Sequence, residues 1–272
     1  MKFAVNYSPE VYDLLEEGTV KFDLFKCPDF DLDLIKTAKS LRPSYVHFDL
    51  NVGSGNLDQT DWSKIEGLLK KTDTPYVNVH LVAFAKDFPH IDINTQDSGE
   101  IDDVIQRVTE DIQTVAAYFG RDRVIAENVI YRSFDGNMLR PIIDPDIISE
   151  IIRNTGCGFL LDTAHAQMTC KYLGKDVYDY IPRLPLDHLK ELHITGIQKD
   201  DNNRLRDSMP LTEEDWELAD WVLQNVQNGN WLEPWVASLE YGGVGPKFEW
   251  RTVSDVLKRQ VPELNTFISG IS

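Results

Sequence analysis

The chain has 272 residues, of which 42% are hydrophobic and 10% aromatic, and a formal net charge of −18. That length is common for one barrel, and the composition supplies a sizeable core, which excludes a disordered chain. Acids number 45 against 27 bases, a balance opposed to a nucleic-acid partner, whose phosphates are held by cations. The apolar run Phe3-Ala4-Val5 is too short for a signal segment. No stretch approaches the roughly 18 apolar residues of a membrane span. Cys27, Cys157 and Cys170 are odd in number and lack CxxC spacing, so a cytoplasmic protein with reduced thiols and no membrane partner is expected.

Short apolar, β-branched or aromatic runs recur along the chain: KFAVNYS (2–8), KFDLFKC (21–27), SYVHFDL (44–50), YVNVHLV (76–82), RVIAENV (123–129), GFLLDTA (158–164), KELHITG (190–196) and WVASLEY (235–241). Helical patterns lie between them. PEVYDLLEEG opens with Pro9 and closes at Gly18. Asp144 precedes Pro145 and the repeat Ile147, Ile148, Ile151, Ile152, which predicts an N-cap followed by proline. Thr212 leads TEEDWELADWVLQNV, with an apolar face at Trp216, Ala219, Val222 and Leu223.

Eight strands alternating with helices predict an α/β (β/α)8 TIM barrel, with residues 1–272 as a single domain. A doubly wound sheet would need a glycine-rich turn after its first strand, and NYSPEV has none. GSG at 53–55 lacks the rest of a dinucleotide fingerprint and reads as a plain loop.

In such a barrel, catalytic groups belong at the C-terminal ends of strands. His47, with Asp49 after it, ends the third strand; His80 ends the fourth, and Glu127-Asn128 the fifth. Asp162 ends the sixth with His165 three residues on, His193 closes the seventh, Asp207 lies in the loop after it, and Glu240 closes the eighth. A lone buried histidine is usually a hydrogen-bonded core residue, and a lone acid usually a cap or an ion-pair partner. Eight such groups at one mouth would repel or desolvate each other without divalent cations. Mixed nitrogen and oxygen donors suit borderline divalent metals, and eight donors suit two or three ions with bridging carboxylates.

At these residues the sequence resembles metal-dependent TIM barrels. LLDTAHA is similar to the Leu-Asp-Thr-Cys-His-Ala motif of endonuclease IV, and IAENV to that family's Ile-Glu-Asn strand. A closer resemblance, over about residues 120–260, is to the multinuclear non-haem iron oxidative enzymes, relatives of the xylose-isomerase-like barrels. It is carried by ENV (127–129), LLDTAHAQ (160–167), LPLDHLKELHITG (184–196), DSMPLTEEDW (207–216) and LEYGG (239–243). The resemblance implies metal ligands at His47, His80, Glu127, Asp162, His165, His193, Asp207 and Glu240. It also implies iron as the metal, with zinc or manganese as alternatives. Both families usually carry a histidine two residues after the aspartate of the seventh loop, where this chain has Met209. A thioether is a poor ligand for these ions, so two firmly held ions and a weak or absent third are expected.

The resemblance implies an iron-dependent oxidoreductase that modifies a residue of a peptide or a small substrate, with a partner protein presenting the peptide. The alternative is a sugar isomerase or epimerase in which Glu127 and Glu240 form a catalytic acid–base pair. An abasic-site endonuclease shares the ligand set, but the acidity and Met209 count against it. A purely structural metal site would contain fewer carboxylates. Arg132 and Arg140 after the fifth strand, with Lys199, Arg204 and Arg206 after the seventh, point to an anionic substrate. The segment 81–99, with Phe84, Phe88 and His90, reads equally as a lid or as a surface excursion. Trp216, Trp221 and Trp250 are expected on outer helices.

Overall fold

The computed structural model describes residues 1–131, 137–246 and 248–270; Arg132 lies outside them. In chain order the elements are β1 (Lys2–Asn6), α1 (Pro9–Glu16), β2 (Leu24–Pro28), α2 (Leu32–Leu41), β3 (Ser44–His47), β4 (Asn51–Val52), α3 (Trp62–Lys71) and β5 (Val77–Leu81). There follow α4 (Ser98–Phe119), β6 (Val124–Glu127), α5 (Pro145–Thr155), β7 (Gly158–Asp162), α6 (Thr163–Leu173), α7 (Val177–Tyr180) and β8 (Leu189–Ile194). The chain closes with β9 (Gly196–Lys199), β10 (Leu205–Met209), α8 (Glu213–Gln227), β11 (Val236–Leu239) and α9 (Ser254–Ser269). Each of the eight apolar runs holds a strand. No described helix is long and apolar enough to cross a membrane.

Local chemistry sets the helix ends. Ser8 caps α1 by accepting from Val11 N, with Pro9 in the first turn. Asp144 caps α5 in the expected manner, accepting from Asp146 N, and Gly156 ends the helix at φ +68°. Thr212 and Asp215 form a reciprocal capping box on α8.

The chain divides into two compact units, Met1–His47, Leu68–Thr74 and Lys190–Ser272 in the first, Phe48–Gly67 and Pro75–Leu189 in the second. In the first unit the strands run parallel in the order β3-β2-β1-β11-β8. Side chains alternate across a strand, and one apolar layer is built from Ala4, Leu24, Tyr45 and Val236, with Trp235 packed against it. The Tyr45 and Trp235 rings meet edge to face at 5.2 Å. Two residues further along the same faces come Asn6, Lys26, His47 and Ser238, so an apolar floor gives way to a polar layer at the C-terminal ends.

In the second unit the parallel order is β7-β6-β5-β4. Val77, Val79, Ile125, Phe159 and Leu161 are fully buried there, and α4 covers the sheet with Val104, Val108, Ile112 and Val115. Burying each such side chain contributes roughly 1.5–3 kcal/mol. Gly53 makes one close approach possible: a Cβ there would stand 2.1 Å from Val82 O, and its φ is +90°. Its amide donates to Asp111 Oδ2 at 2.7 Å, so the 53–55 loop is fastened to α4.

Two expectations are corrected by the structure, the ribbon after the seventh strand and the place of Trp250, and segment 81–99 is described more closely. The region after the seventh strand is no open loop but an antiparallel β9–β10 ribbon, and Asp207 sits within β10. Segment 81–99 is tied down: Ala85 N donates to Asn137 O, Leu139 N to Ala83 O and Arg140 N to Ile93 O, and Phe88 is buried. Trp250 is on a short 3-10 turn and 57% exposed, not on an outer helix. Trp216 and Trp221 do lie on α8, against Phe267 and Trp231.

Candidate metal centre

In the second unit the strand ends bring His80, Glu127, Asp162 and His165 together. Glu127, the last residue of β6, is 1% exposed, and Asp162, the last of β7, is fully buried. Glu127 Oε2 stands 3.3 Å from His80 Nε2, and its Oε1 stands 3.3 Å from His165 Nδ1. His165 Nε2 faces Asp162 Oδ2 at 3.8 Å.

The backbone fixes this group tightly. Asp162 is the N-cap of α6, its Oδ1 accepting from His165 N at 2.7 Å, so the strand-end acid also starts the helix that carries the histidine. Asn128 accepts from Asp162 N at 2.9 Å and donates to Asp162 O at 3.0 Å. Asn128 O lies 2.9 Å from His165 Nδ1. Burial favours a neutral His80 imidazole, but the charge and hydrogen bond of Glu127, with Asp49, outweigh it and hold the ring above its ordinary value.

In the first unit the arrangement is different. His47 ends β3, and its ring centroid is 5.2 Å from that of His193 on β8. His193 is fully buried, and its Nε2 lies 2.9 Å from Glu191 Oε1. The Tyr45 hydroxyl donates to the same oxygen at 2.9 Å. A carboxylate oxygen accepts, so Nε2 carries the proton of this bond, which leaves Nδ1 as the nitrogen that could face a metal. Donor atoms of His47, Glu191 and His193 lie within 4.8 Å of one another.

Glu240, just beyond β11, is ion-paired with Lys26, which is 4% exposed, and its Oε2 is 3.4 Å from His193 Nδ1. Asp207 is engaged by Arg251, whose Nη1 donates to Asp207 O at 2.6 Å and lies 3.3 Å from Oδ1. A one-residue bulge between Arg206 and Met209 puts Ser208 at φ +53° and turns Asp207 out of regular pairing. Met209 occupies the next ladder position, opposite Gly196.

The remaining candidates lie elsewhere. His90 is exposed and pairs with Asp103 at 3.5 Å, and His188 Nδ1 lies 3.1 Å from Cys157 O. Arg204 and Arg206 both pair with Asp200, at 3.6 and 3.0 Å. Sequence reasoning missed Lys26, Glu191 and Arg251. For Glu191 there was a signal: it shares the face of His193 two residues ahead of it. Lys26 and Arg251 became visible only through contacts far apart in the chain.

Buried carboxylates flanked by imidazoles at strand C-termini are groups that could hold a metal ion. The model of the RiPP precursor modification enzymes MbnB/TglH/ChrH matches residues 32–235. The chain belongs to this family. It is also 25% identical to a UPF0276 protein of Acaryochloris marina over 80% of this chain and 74% of that one. A UPF0276 protein of Rhizobium meliloti is 26% identical over 63% of this chain, and the match spans 56% of that relative's length.

Among solved structures, D-psicose 3-epimerase from Clostridium cellulolyticum matches 100% of this chain and 99% of its own at a TM-score of 0.58 and 14% identity. A sugar phosphate isomerase/epimerase from Parabacteroides distasonis matches 98% of this chain and 100% of its own at a TM-score of 0.58 and 11% identity. At such identities the likeness concerns the fold, which is the xylose-isomerase-like (β/α)8 TIM barrel. The family is one of modification enzymes, and this chain carries side-chain clusters able to hold metal ions.

Proposed function

We propose that this RiPP-family protein is an iron-dependent oxidative enzyme of the cytoplasm that modifies a residue of a precursor peptide. The observation that supports it most is the Glu127 carboxylate, buried and bracketed at 3.3 Å by both His80 and His165, in a chain matched by a peptide-modification family. The donor set fits a divalent ion. Two donors adjacent on one ion at ~2.1 Å each stand ~3 Å apart, close to the 3.3 Å between Glu127 Oε2 and His80 Nε2, while His165, whose Nδ1 is directed to the Asn128 carbonyl, would offer Nε2. With neutral imidazoles, Glu127 and Asp162 leave two negative charges in a buried group, which one divalent cation balances.

His80, Glu127, Asp162 and His165 would hold one ion in the second unit, and His47 and His193 would anchor another in the first. Glu191 would fix the His193 tautomer, and Asn128 would hold Asp162 and His165 in register. Glu240 and Asp207 carry Lys26 and Arg251, and we assign both acids to charge balance around the centre. Bound iron would supply electrons to dioxygen and an open position for a substrate heteroatom. The acidic surface, at a net charge of −18, suits a basic segment of peptide or of a presenting partner better than a nucleic acid.

A second reading, a sugar epimerase, draws on the D-psicose 3-epimerase likeness and would use Glu127 and Glu240 as acid and base. Glu240 is already engaged by the Lys26 ammonium, an arrangement that suits a proton shuttle poorly. The two readings separate in one experiment. Anaerobically purified, iron-loaded protein is mixed with cysteine-containing peptides and then with dioxygen, and separately with D-psicose. An oxygen-dependent change in peptide mass, lost in Glu127→Gln, supports the oxidative reading. Metal-dependent epimerisation without any change in peptide mass overturns it.

A further inference from the structure

The first unit contains a buried cation at a position where sequence reasoning expects a metal. Lys26 lies on β2 two residues beyond Leu24, on the face of the apolar floor, and is 4% exposed. A lysine so buried is costly unless its charge is met. Glu240 meets it through Oε1, while Oε2 of the same carboxylate lies 3.4 Å from His193 Nδ1. That nitrogen is the one turned away from Glu191 and toward Glu240. An oxygen and a nitrogen at this separation, on strand ends held by their own ladders, nearly match the ~3 Å spacing of two adjacent ligands on one ion. The pair is therefore organised for a divalent cation, and a monovalent one sits on it.

We propose that the Lys26 ammonium is a resident cation that occupies Glu240 and keeps that carboxylate from binding a divalent ion, so that Lys26 limits how much metal the first unit holds. A divalent ion shared by Glu240 and His193 would stand beside the ammonium, and the two like charges repel across a buried gap where screening is weak. Lys26 is held in place: Glu240 is its counter-charge, and its backbone is paired between Asn6 of β1 and Tyr45 of β3. Asp207 repeats the theme, with Arg251 on both its carbonyl and its carboxylate. The inference rests on the metal centre proposed above only for the identity of the ion, because the role of Lys26 is read as a difference between variants.

The test uses Mn(II) as a redox-stable probe with the full chain, without oxygen, for wild type, Lys26→Gln, Lys26→Met and Lys26→Arg. Uptake is measured by equilibrium dialysis and calorimetry, and thermal midpoints are recorded with and without Mn(II). Lys26→Gln and Lys26→Met should take up one further ion per chain or bind at their weakest site at least about tenfold more tightly, with Lys26→Arg like wild type. Their midpoints should rise with Mn(II) more than that of wild type, and a variant unfolded without metal should refold when Mn(II) is added. Uptake unchanged by both neutral substitutions, with no added protection by Mn(II), overturns the resident cation. A wild type that binds no Mn(II) at all overturns the metal centre instead, and a gain in Lys26→Gln would still uphold the role of Lys26.

Discussion

Glu191→Gln changes one atom in a buried cluster and asks whether the tautomer of His193 matters. In the native chain Glu191 Oε1 receives two hydrogen bonds of 2.9 Å, from the Tyr45 hydroxyl and from His193 Nε2. Hydrogen bonds to a charged group contribute about 1.5–3 kcal/mol and neutral ones about 0.5–1.5 kcal/mol, so the amide weakens each by roughly 1 kcal/mol. Global stability should fall by about 2 kcal/mol, visible in urea unfolding. Outer partners of a ligating histidine typically set about 10- to 100-fold in metal affinity, so Mn(II) binding at the His193 site should weaken within that range. Tyr45→Phe is the control: it removes one bond to the carboxylate, costs about 1.5–3 kcal/mol, and leaves His193 its partner. A folded Glu191→Gln protein whose weakest Mn(II) affinity stays within about twofold of wild type would refute the reasoning.

Gly196 begins β9, and a Cβ there would lie 2.0 Å from Pro210 O. Gly196→Ala should therefore cost about 1–3 kcal/mol by overpacking and lower the thermal midpoint; an unchanged midpoint would contradict the close approach. Burial pushes the Cys27 thiol up from 9.0 to about 12 and the Cys157 thiol up to about 11. The folded chain keeps these protons where the unfolded chain releases them, so stability should fall as pH rises above about 9, each thiol contributing up to about 1.4 kcal/mol per pH unit within its window. Urea titrations at pH 8 and 10 check this; a Cys27→Ala variant with the same alkaline slope as wild type would count against it. All three thiols are buried, so they should resist alkylation at pH 8 until the chain unfolds.

The strands were legible because each buried run is rich in β-branched and aromatic residues, as in Val77–Leu81 or Gly158–Asp162. β4 was not, since two residues, Asn51 and Val52, carry no period. The β9–β10 ribbon also escaped: LRDSM does not alternate apolar with polar, and its bulge breaks the register at Asp207 and Ser208. Of the candidate site, the second-unit group was readable because Asp162 and His165 are local partners and Glu127 ends an obvious strand. The first-unit network was not. Lys26 in KFDLFKC reads like any surface lysine, and nothing nearby in sequence signals its partner 214 positions away. Arg251 likewise reaches Asp207 across 44 positions.

The central claim is that His80, Glu127, Asp162 and His165 are a metal-binding group in a redox enzyme. Its most direct test is elemental analysis joined to electron paramagnetic resonance on protein purified without oxygen, wild type beside Glu127→Gln. The account predicts about two iron ions per chain with a mixed-valent signal after partial oxidation, and loss of at least one ion in the variant. A wild-type chain devoid of divalent metal, or one whose metal content is untouched by Glu127→Gln, would contradict it.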